Sequence, residues 1–490
     1  MASVAIIGAG PAGLCTARHL KNHPKISKLT IFEAKSEIGG IWAKETNFLP
    51  KNPTKNDIKN FTSTTPVYDN LYTNLPDLAQ MFPDYLLQME KGKSRYVTTG
   101  ELLEYLNGYC DKFGLRELVE FDTLVVEVGQ DSSQEPRESG SQYFINTKNT
   151  KSGLTKTHTY DKVIICNGHT TKKYYSDLDL STAQKIFQGD IIHAADYKNA
   201  KAIAKAGYKK VVVIGGYSSA MDIIIELNEV EGVEAILSTY GPLKLLKLSE
   251  KYCNAPRKFT KTGFIDKCGN DVECDLIICA TGYKFDFPFF QTNTGNQNFL
   301  EQKVGLQQGD KFLKNLYFHI FPKNPNFIEN LAFIGLNKNF VTFPFFDMQV
   351  RLLKYFWFEE EGNEKFQKIK KSPSQIEAYL EKEISRRNNR GFNLSSTNFK
   401  KYHDMDNDLQ ELYFQDIDEI LGQENLPEHL IKVRNLGMLL FEWSKVNLLT
   451  NGSRGKFSVI EDVGDVEKIK EEIRVKLAKM KELKAMMGQC

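Results

Sequence analysis

Short apolar runs alternating with helical patterns dominate the first part of the chain. Ser3-Val4-Ala5-Ile6-Ile7 reads as a buried strand that leads directly into Gly8-Ala9-Gly10-Pro11-Ala12-Gly13. Leu14, Ala17 and Leu20 then recur at helical spacing, and Leu29-Thr30-Ile31-Phe32 forms a second strand ending at Glu33. This strand–helix–strand unit of about thirty residues has the size that a dinucleotide-binding fold requires. Glu101 to Phe113 places Leu102, Leu103, Leu106, Tyr109 and Cys110 on one helical face. Alternating segments on either side of the polar stretch 130–142 predict a hairpin with its tip there. Val163 to Cys166 is a buried strand closed by Asn167-Gly168.

The same grammar then returns. Val211 to Ile214 runs into Gly215-Gly216-Tyr217-Ser218-Ser219-Ala220, with a helix expected from Met221. Leu276 to Cys279 is a further strand that ends at Ala280-Thr281-Gly282-Tyr283. Two such units predict an α/β fold with two dinucleotide-binding, Rossmann-like domains. Beyond them the pattern gives a strand from Leu331 to Ile334 and helices without obvious chemistry. A Lys/Glu-rich helix from Asp465 closes the chain, with Ile469, Ile473, Leu477, Met480 and Met487 on one stripe. That stripe suits packing on the parent domain or on a second subunit of a homodimer better than a membrane surface.

Composition adds mainly exclusions. The 490 residues suit two or three domains, and 41% hydrophobic with 26% charged residues describes an ordinary globular core. Sixty-four basic and 62 acidic residues leave a formal charge of +2, which gives no reason to expect a nucleic-acid partner. No apolar run is long enough for a transmembrane anchor. A signal peptide is not expected either, because a strand and its glycine turn occupy the N-terminus, so the expected location is cytoplasmic. The eight cysteines contain no CxxC pair, so reduced thiols are expected, with no metal site and no redox dithiol.

The first turn matches G-x-G-x-x-G in full. Gly8 permits the tight turn, Gly10 lets the backbone approach a pyrophosphate, and Gly13 allows close packing of helix on strand. The helix start adds free N–H groups and a positive dipole end. Glu33 stands twenty residues beyond Gly13, where a carboxylate can accept from ribose hydroxyls. The second turn is irregular, because Tyr217 replaces the second glycine and Ala220 the third.

Phe187-Gln188-Gly189-Asp190-Ile191-Ile192-His193-Ala194-Ala195-Asp196-Tyr197 reads F-x-G-x-x-x-H-x-x-x-Y and lies just before the second turn. With Gly39-Gly40-Ile41-Trp42, Tyr72-Thr73-Asn74-Leu75-Pro76, Ala280-Thr281-Gly282-Tyr283 and Phe346-Asp347-Met348-Gln349 in the same order, the chain resembles the flavin-containing monooxygenases. The likeness spans residues 1 to about 360, with a weaker echo at Tyr402 to Leu421. The irregular second turn looks most like the bacterial trimethylamine-oxidising branch.

The resemblance implies an FAD domain from residues 1–169 and 281–460, with an NADPH domain at 170–280 inserted into it and a C-terminal charged helix at 461–490. It implies that NADPH reduces the flavin, that dioxygen adds to give a C4a-hydroperoxyflavin, and that a soft nitrogen or sulfur nucleophile takes the terminal oxygen. A small tertiary amine such as trimethylamine, or a sulfide, is the expected substrate. The hard chemistry belongs to the cofactor, so no catalytic triad or carboxylate pair is required. Cofactor contacts are implied for Gly8, Gly10, Pro11, Ala12, Gly13, Glu33, Gly40, Trp42, Asn74, Gly215, Tyr217, Ser218, Ser219, Thr281, Gly282 and Gln349. Asn74 matches the asparagine that faces flavin and nicotinamide, where an amide donates and accepts without adding charge. His193 is expected to hold backbone groups through both ring nitrogens rather than to act as a general base. Trp42, Tyr217, Phe343 and Phe345 are candidate aromatic walls above the flavin.

One departure concerns the 2′-phosphate of NADPH. Family members usually carry Arg just after the strand that here reads Ala235-Ile236-Leu237-Ser238. This chain has Thr239-Tyr240-Gly241, with Lys244 and Lys247 later, so weak discrimination against NADH is expected. Two alternatives stand beside the monooxygenase. A Baeyer–Villiger enzyme usually has Trp followed by Pro or Asp where this chain has Tyr197-Lys198, and a degenerate flavin-binding interaction protein would account for Tyr217 and the missing Arg.

Overall fold

The computed structural model describes residues 1–86, 94–130, 143–175, 178–239, 251–290, 299–338, 341–370, 372–395 and 398–422, and shorter pieces at 426, 431, 434–441, 459–460, 467–475 and 478. Its frame is a pair of five-stranded parallel sheets. The first runs in the order Leu331–Phe333, Lys162–Ile165, Ala2–Ile7, Ile26–Phe32, Val119–Glu120. The second runs Asp190–His193, Leu276–Cys279, Lys210–Ile214, Glu234–Thr239, Tyr252–Asn254. All five strands of the second sheet fall in sequence between Lys162–Ile165 and Leu331–Phe333 of the first, so one α/β unit is inserted into the other.

The two sheets share a plan. In each, the strand before a glycine turn sits at the point where the strand order reverses, beside Lys162–Ile165 in one and Leu276–Cys279 in the other. Open α/β sheets bind ligands at that place. Both sheets are covered on two faces, as parallel sheets must be. Val4 and Ile6 enter one apolar cluster while Ala5 and Ile7 enter another, and Val211 and Val213 separate from Val212 and Ile214 in the same way.

Helix bounds follow local chemistry. Thr98 and Glu101 form a reciprocal capping box that starts Thr99–Lys112. The second nucleotide helix begins at Ser218 rather than Met221, because extended Tyr217 takes the cap position. The predicted hairpin pairs Gln130 with Tyr143, and its tip at 131–142 lies outside the described residues. In the closing helix Ile469 and Ile473 are buried in the main cluster, as a stripe packed on the parent domain requires, while Leu477, Met480 and Met487 lie outside the described residues.

Phe343 and Phe345 correct an expectation. Both are buried in the helix Thr342–Phe358, with Phe343 stacked 4.7 Å from Phe82 and Phe345 stacked 4.7 Å from Tyr413. They are core aromatics, because the helix turns that edge toward its neighbours rather than toward a cleft. Seven cysteines are free thiols, and Cys490 lies outside the described residues. Cys15, His19 and Asp347 bring ligand-type atoms within 4.8 Å of one another. Asp347 is already engaged by His19 at 2.7 Å and Arg351 at 2.7 Å, so the cluster works as an ion-pair network. Among the described residues no helix is long and apolar enough to cross a membrane.

Candidate functional site

The first glycine turn is held by backbone bonds. Gly8 N–H donates to Phe32 O at 2.8 Å, and Gly39 N–H donates to Ala9 O at 3.0 Å. Gly8 adopts φ +103°, and a Cβ there would meet Cys166 O at 2.6 Å. Pro11 opens the helix Pro11–Leu20, and no side chain caps it. A Cβ on Gly10 would meet only the Gly40 backbone, at 3.5 and 3.9 Å. The space over Gly10 is therefore free of side chains, and the uncapped helix start beside it suits a phosphate. Trp42 is half-buried against the main cluster in the short turn that Gly40 begins.

Glu33 is buried, and its oxygens accept from Ala9 N–H at 2.7 Å and Lys35 N–H at 2.9 Å. Burial raises its pKa while those N–H groups oppose the rise. A carboxylate has about four acceptor directions, so these N–H groups do not exhaust its capacity. Gln349 lies one layer behind the turn. Its amide accepts from Gly335 N–H at 3.1 Å and donates to Asn337 Oδ1 at 3.3 Å and Tyr413 Oη at 3.2 Å. It shapes the Gly335 bend, where a Cβ would come within 3.4 Å of Ala12.

Asn337 was not legible in the sequence. It is fully buried at the C-terminal end of Leu331–Phe333, and its Nδ2 donor has no partner among the described residues. A buried amide without an acceptor is costly, so this donor fits a polar ligand lying beside it. Together with the open cradle at Gly10, it fits a dinucleotide with a polar ring system. The signal that could have found Asn337 is positional, because ligands gather at the C-terminal ends of such strands.

The second turn repeats the geometry. Gly215 N–H donates to Ser238 O at 3.0 Å, and a Cβ on Gly215 would meet Ala280 O at 2.5 Å, as Gly8 meets Cys166. Tyr217 leans out and is 68% exposed, which leaves the turn's backbone accessible. Its phenol is nevertheless raised from the ordinary value, first by local desolvation and then by the Asp404 carboxylate. Ser218 is half-buried and Ser219 exposed. Thr281 Oγ1 donates to Tyr174 O at 2.5 Å, tying the end of the neighbouring strand. Thr239 is buried, whereas Tyr240, Gly241, Lys244 and Lys247 lie outside the described residues.

Asn74 reaches the second turn from the segment 72–76: its exposed amide Nδ2 donates to Ser218 Oγ at 3.2 Å. His193 behaves as expected of a structural histidine. Its Nδ1 accepts from Ala195 N–H at 3.1 Å and its Nε2 faces Gly282 O at 3.0 Å. Burial pulls its pKa down to about 4, so near neutral pH the ring is uncharged and Nε2 carries the proton. Lys198, which follows Tyr197 at the end of the fingerprint, ties the inserted unit to the loop 45–67 through Glu45, Ser63 and Val67 O.

Residues 1–251 match the family model described as Flavin-binding monooxygenase-like. The chain belongs to that family. The flavin-containing monooxygenase FMO GS-OX5 of Arabidopsis thaliana is 30% identical over 367 residues, which cover 71% of this chain and 72% of the relative. Among solved structures, S-allyl-L-cysteine S-oxygenase from Allium sativum aligns with a TM-score of 0.71 at 21% identity, covering 98% of this chain and 99% of that one. Tmm from a Pelagibacter strain aligns with a TM-score of 0.68 at 21% identity, covering 93% of this chain and 95% of that one. As a flavin monooxygenase, an oxidoreductase, the chain must present a flavin to dioxygen and a small substrate. The C-terminal ends of both sheets are where its glycine turns, Asn74 and Asn337 gather.

Proposed function

We propose that this flavin monooxygenase uses FAD and NADPH to oxygenate a soft sulfur or nitrogen nucleophile. The observation that carries the proposal is the pair of glycine turns of like geometry at the C-terminal ends of two parallel sheets, the second of which is met by Asn74 at Ser218. Residues 1–169 and 281–460 would hold FAD, and residues 170–280 would hold NADPH. Bound FAD, once reduced by NADPH, supplies the activation of dioxygen and the transfer of one oxygen atom.

The protein's own part is binding, orientation and dryness. Gly8 to Gly13 bring backbone N–H groups to the FAD pyrophosphate, and Glu33 accepts from its ribose. Asn337 offers a buried donor to the polar edge of the ring. Gly215, Tyr217 and Ser218 would take the NADPH pyrophosphate, with Thr281 and Gly282 closing the far side. Asn74 donates to Ser218, and its amide oxygen would turn to the nicotinamide and help exclude water. The Allium and Pelagibacter neighbours support a sulfur or nitrogen acceptor by likeness of fold.

The test is direct. NADPH added without oxygen to the yellow protein should bleach the flavin, and air with a sulfide or trimethylamine should give an oxide detectable by mass spectrometry. A flavin that stays oxidised would favour a cofactor-binding scaffold without catalysis. Asn74→Ala should retain FAD but divert turnover to hydrogen peroxide. Loss of one hydrogen bond of about 1.5 kcal/mol should cut oxide yield per NADPH roughly tenfold. An unchanged yield would remove Asn74 from the site.

A further inference from the structure

We infer that Lys338 and Asp404 form a receptor for a zwitterion, so that the oxygenated substrate is the thioether of an S-substituted amino acid. The inference rests on the sulfur or nitrogen oxygenation proposed above and names its substrate class. Lys338 directly follows Asn337, at the C-terminal end of the first sheet. Its strand segment is bridged in parallel to Asp404: Lys338 N–H donates to His403 O at 2.8 Å, and Met405 N–H donates to Lys338 O at 2.9 Å. The two side chains thus start from locked, adjacent backbones.

They carry opposite charges and do not close onto each other. Lys338 Nζ donates to Lys311 O at 3.3 Å and lies 4.4 Å from the centroid of the Phe285 ring. Among the described residues it makes no ion pair, and the Asp404 carboxylate makes neither a hydrogen bond nor an ion pair. Both residues are half-buried. Burial pulls Lys338 down to about 8 against the pull of Asp404, and raises Asp404 against Lys338, Lys401, Lys311 and Arg387. Holding such groups apart forfeits the attraction that would offset their desolvation. A ligand bearing both charges restores it, with carboxylate on Lys338 and ammonium on Asp404.

Hydrogen bonds also tie the pair to the end of the second sheet, where Thr281 follows the strand Leu276–Cys279. Lys311, whose carbonyl accepts from Lys338, donates through Nζ to Thr281 O at 3.3 Å. Once an amine is held as an ammonium its lone pair is occupied by a proton, so oxygen must go to sulfur. The sulfur lone pair forms the S–O bond, the O–O bond of dioxygen breaks, and the second oxygen leaves as water. NADPH gives two electrons as hydride and solvent one proton; sulfur loses two electrons and dioxygen gains four.

The experiment compares S-methyl-L-cysteine with its N-acetyl and methyl ester forms, dimethyl sulfide and trimethylamine, on the flavin-loaded full chain. Sulfoxide or N-oxide is measured by mass spectrometry alongside NADPH use. The zwitterion should exceed both blocked forms in kcat/KM by roughly tenfold or more. Lys338→Met should raise KM for the zwitterion at least several-fold more than for dimethyl sulfide, and Asp404→Asn should lessen discrimination against the N-acetyl form. Equal kcat/KM for zwitterion and blocked forms in the parent protein would overturn the inference, and needs no variant to fold. So would a loss of flavin content or a raised KM for NADPH that falls equally on every substrate, which would assign the charges to the cofactors. Oxidation of dimethyl sulfide or trimethylamine in preference to the zwitterion would overturn this inference alone. No oxide from any compound would overturn the broader proposal with it.

Discussion

Gly13→Ala should yield little folded protein and no bound flavin, whereas Gly10→Ala should fold normally and lose flavin alone. A Cβ on Gly13 would stand 1.9 Å from Gly8 O, and Gly8 is held in place by its N–H bond to Phe32 O at 2.8 Å. Overpacking by one methyl usually costs about 1–3 kcal/mol, and a clash between two backbones belongs at or above the top of that range. A Cβ on Gly10 makes ordinary contact at 3.5 Å, so the fold should change by less than about 1 kcal/mol. That same methyl would occupy the path of a pyrophosphate. Urea midpoints and the flavin-to-protein ratio of both variants check the pair. A Gly10→Ala protein with full flavin would disprove that the N-terminal turn is the FAD crook.

Arg387→Met should destabilise the protein by an amount near the lower end of about 3–5 kcal/mol, because it takes the shorter of two ion pairs from a buried carboxylate that keeps Arg386 at 3.0 Å. Arg387 is fully buried and donates through Nη1 to Glu383 Oε2 at 2.5 Å and to Glu383 O at 3.2 Å. His319 faces the same carboxylate at 3.3 Å and His403 at 3.1 Å, and His403 is the neighbour of Asp404. Burial acts to raise Glu383, but Arg387 and His319 outweigh it and hold the carboxyl well below the usual carboxylate range. A depressed carboxylate stabilises above its unfolded value, about 4.3, and that contribution is lost as pH falls through the folded value. The double variant Glu383→Leu with Arg387→Met should recover part of the loss, since it removes both charges together. Urea denaturation at neutral pH measures both effects. A single variant as stable as the parent would show that the network adds nothing to the fold.

The resemblance carried the fold plan and the choice of candidate site loops further than local pattern alone. G-x-G-x-x-G between Ile7 and Leu14 is legible because turn, backbone approach and helix packing each demand glycine at a fixed spacing. His193 was also legible in its role, since its fingerprint sits where two lobes must be joined. Phe343 and Phe345 were misplaced because an apolar ring has the same sequence signature in a core as beside a cofactor. Asn337, Lys338, Asp404 and the Glu383–Arg387 network gave no signal, since nothing in their spacing marks them as neighbours.

By itself the sequence determined two parallel α/β units, their glycine turns and the family, because hydrophobic period and glycine spacing are local properties of the chain. Only the tertiary structure decided that Asn74 meets Ser218, that Gln349 works through Gly335, and that Lys338 stands beside Asp404. Contacts between residues dozens to hundreds of positions apart depend on how sheets and helices stack, and that stacking is written in the whole core rather than in any one motif.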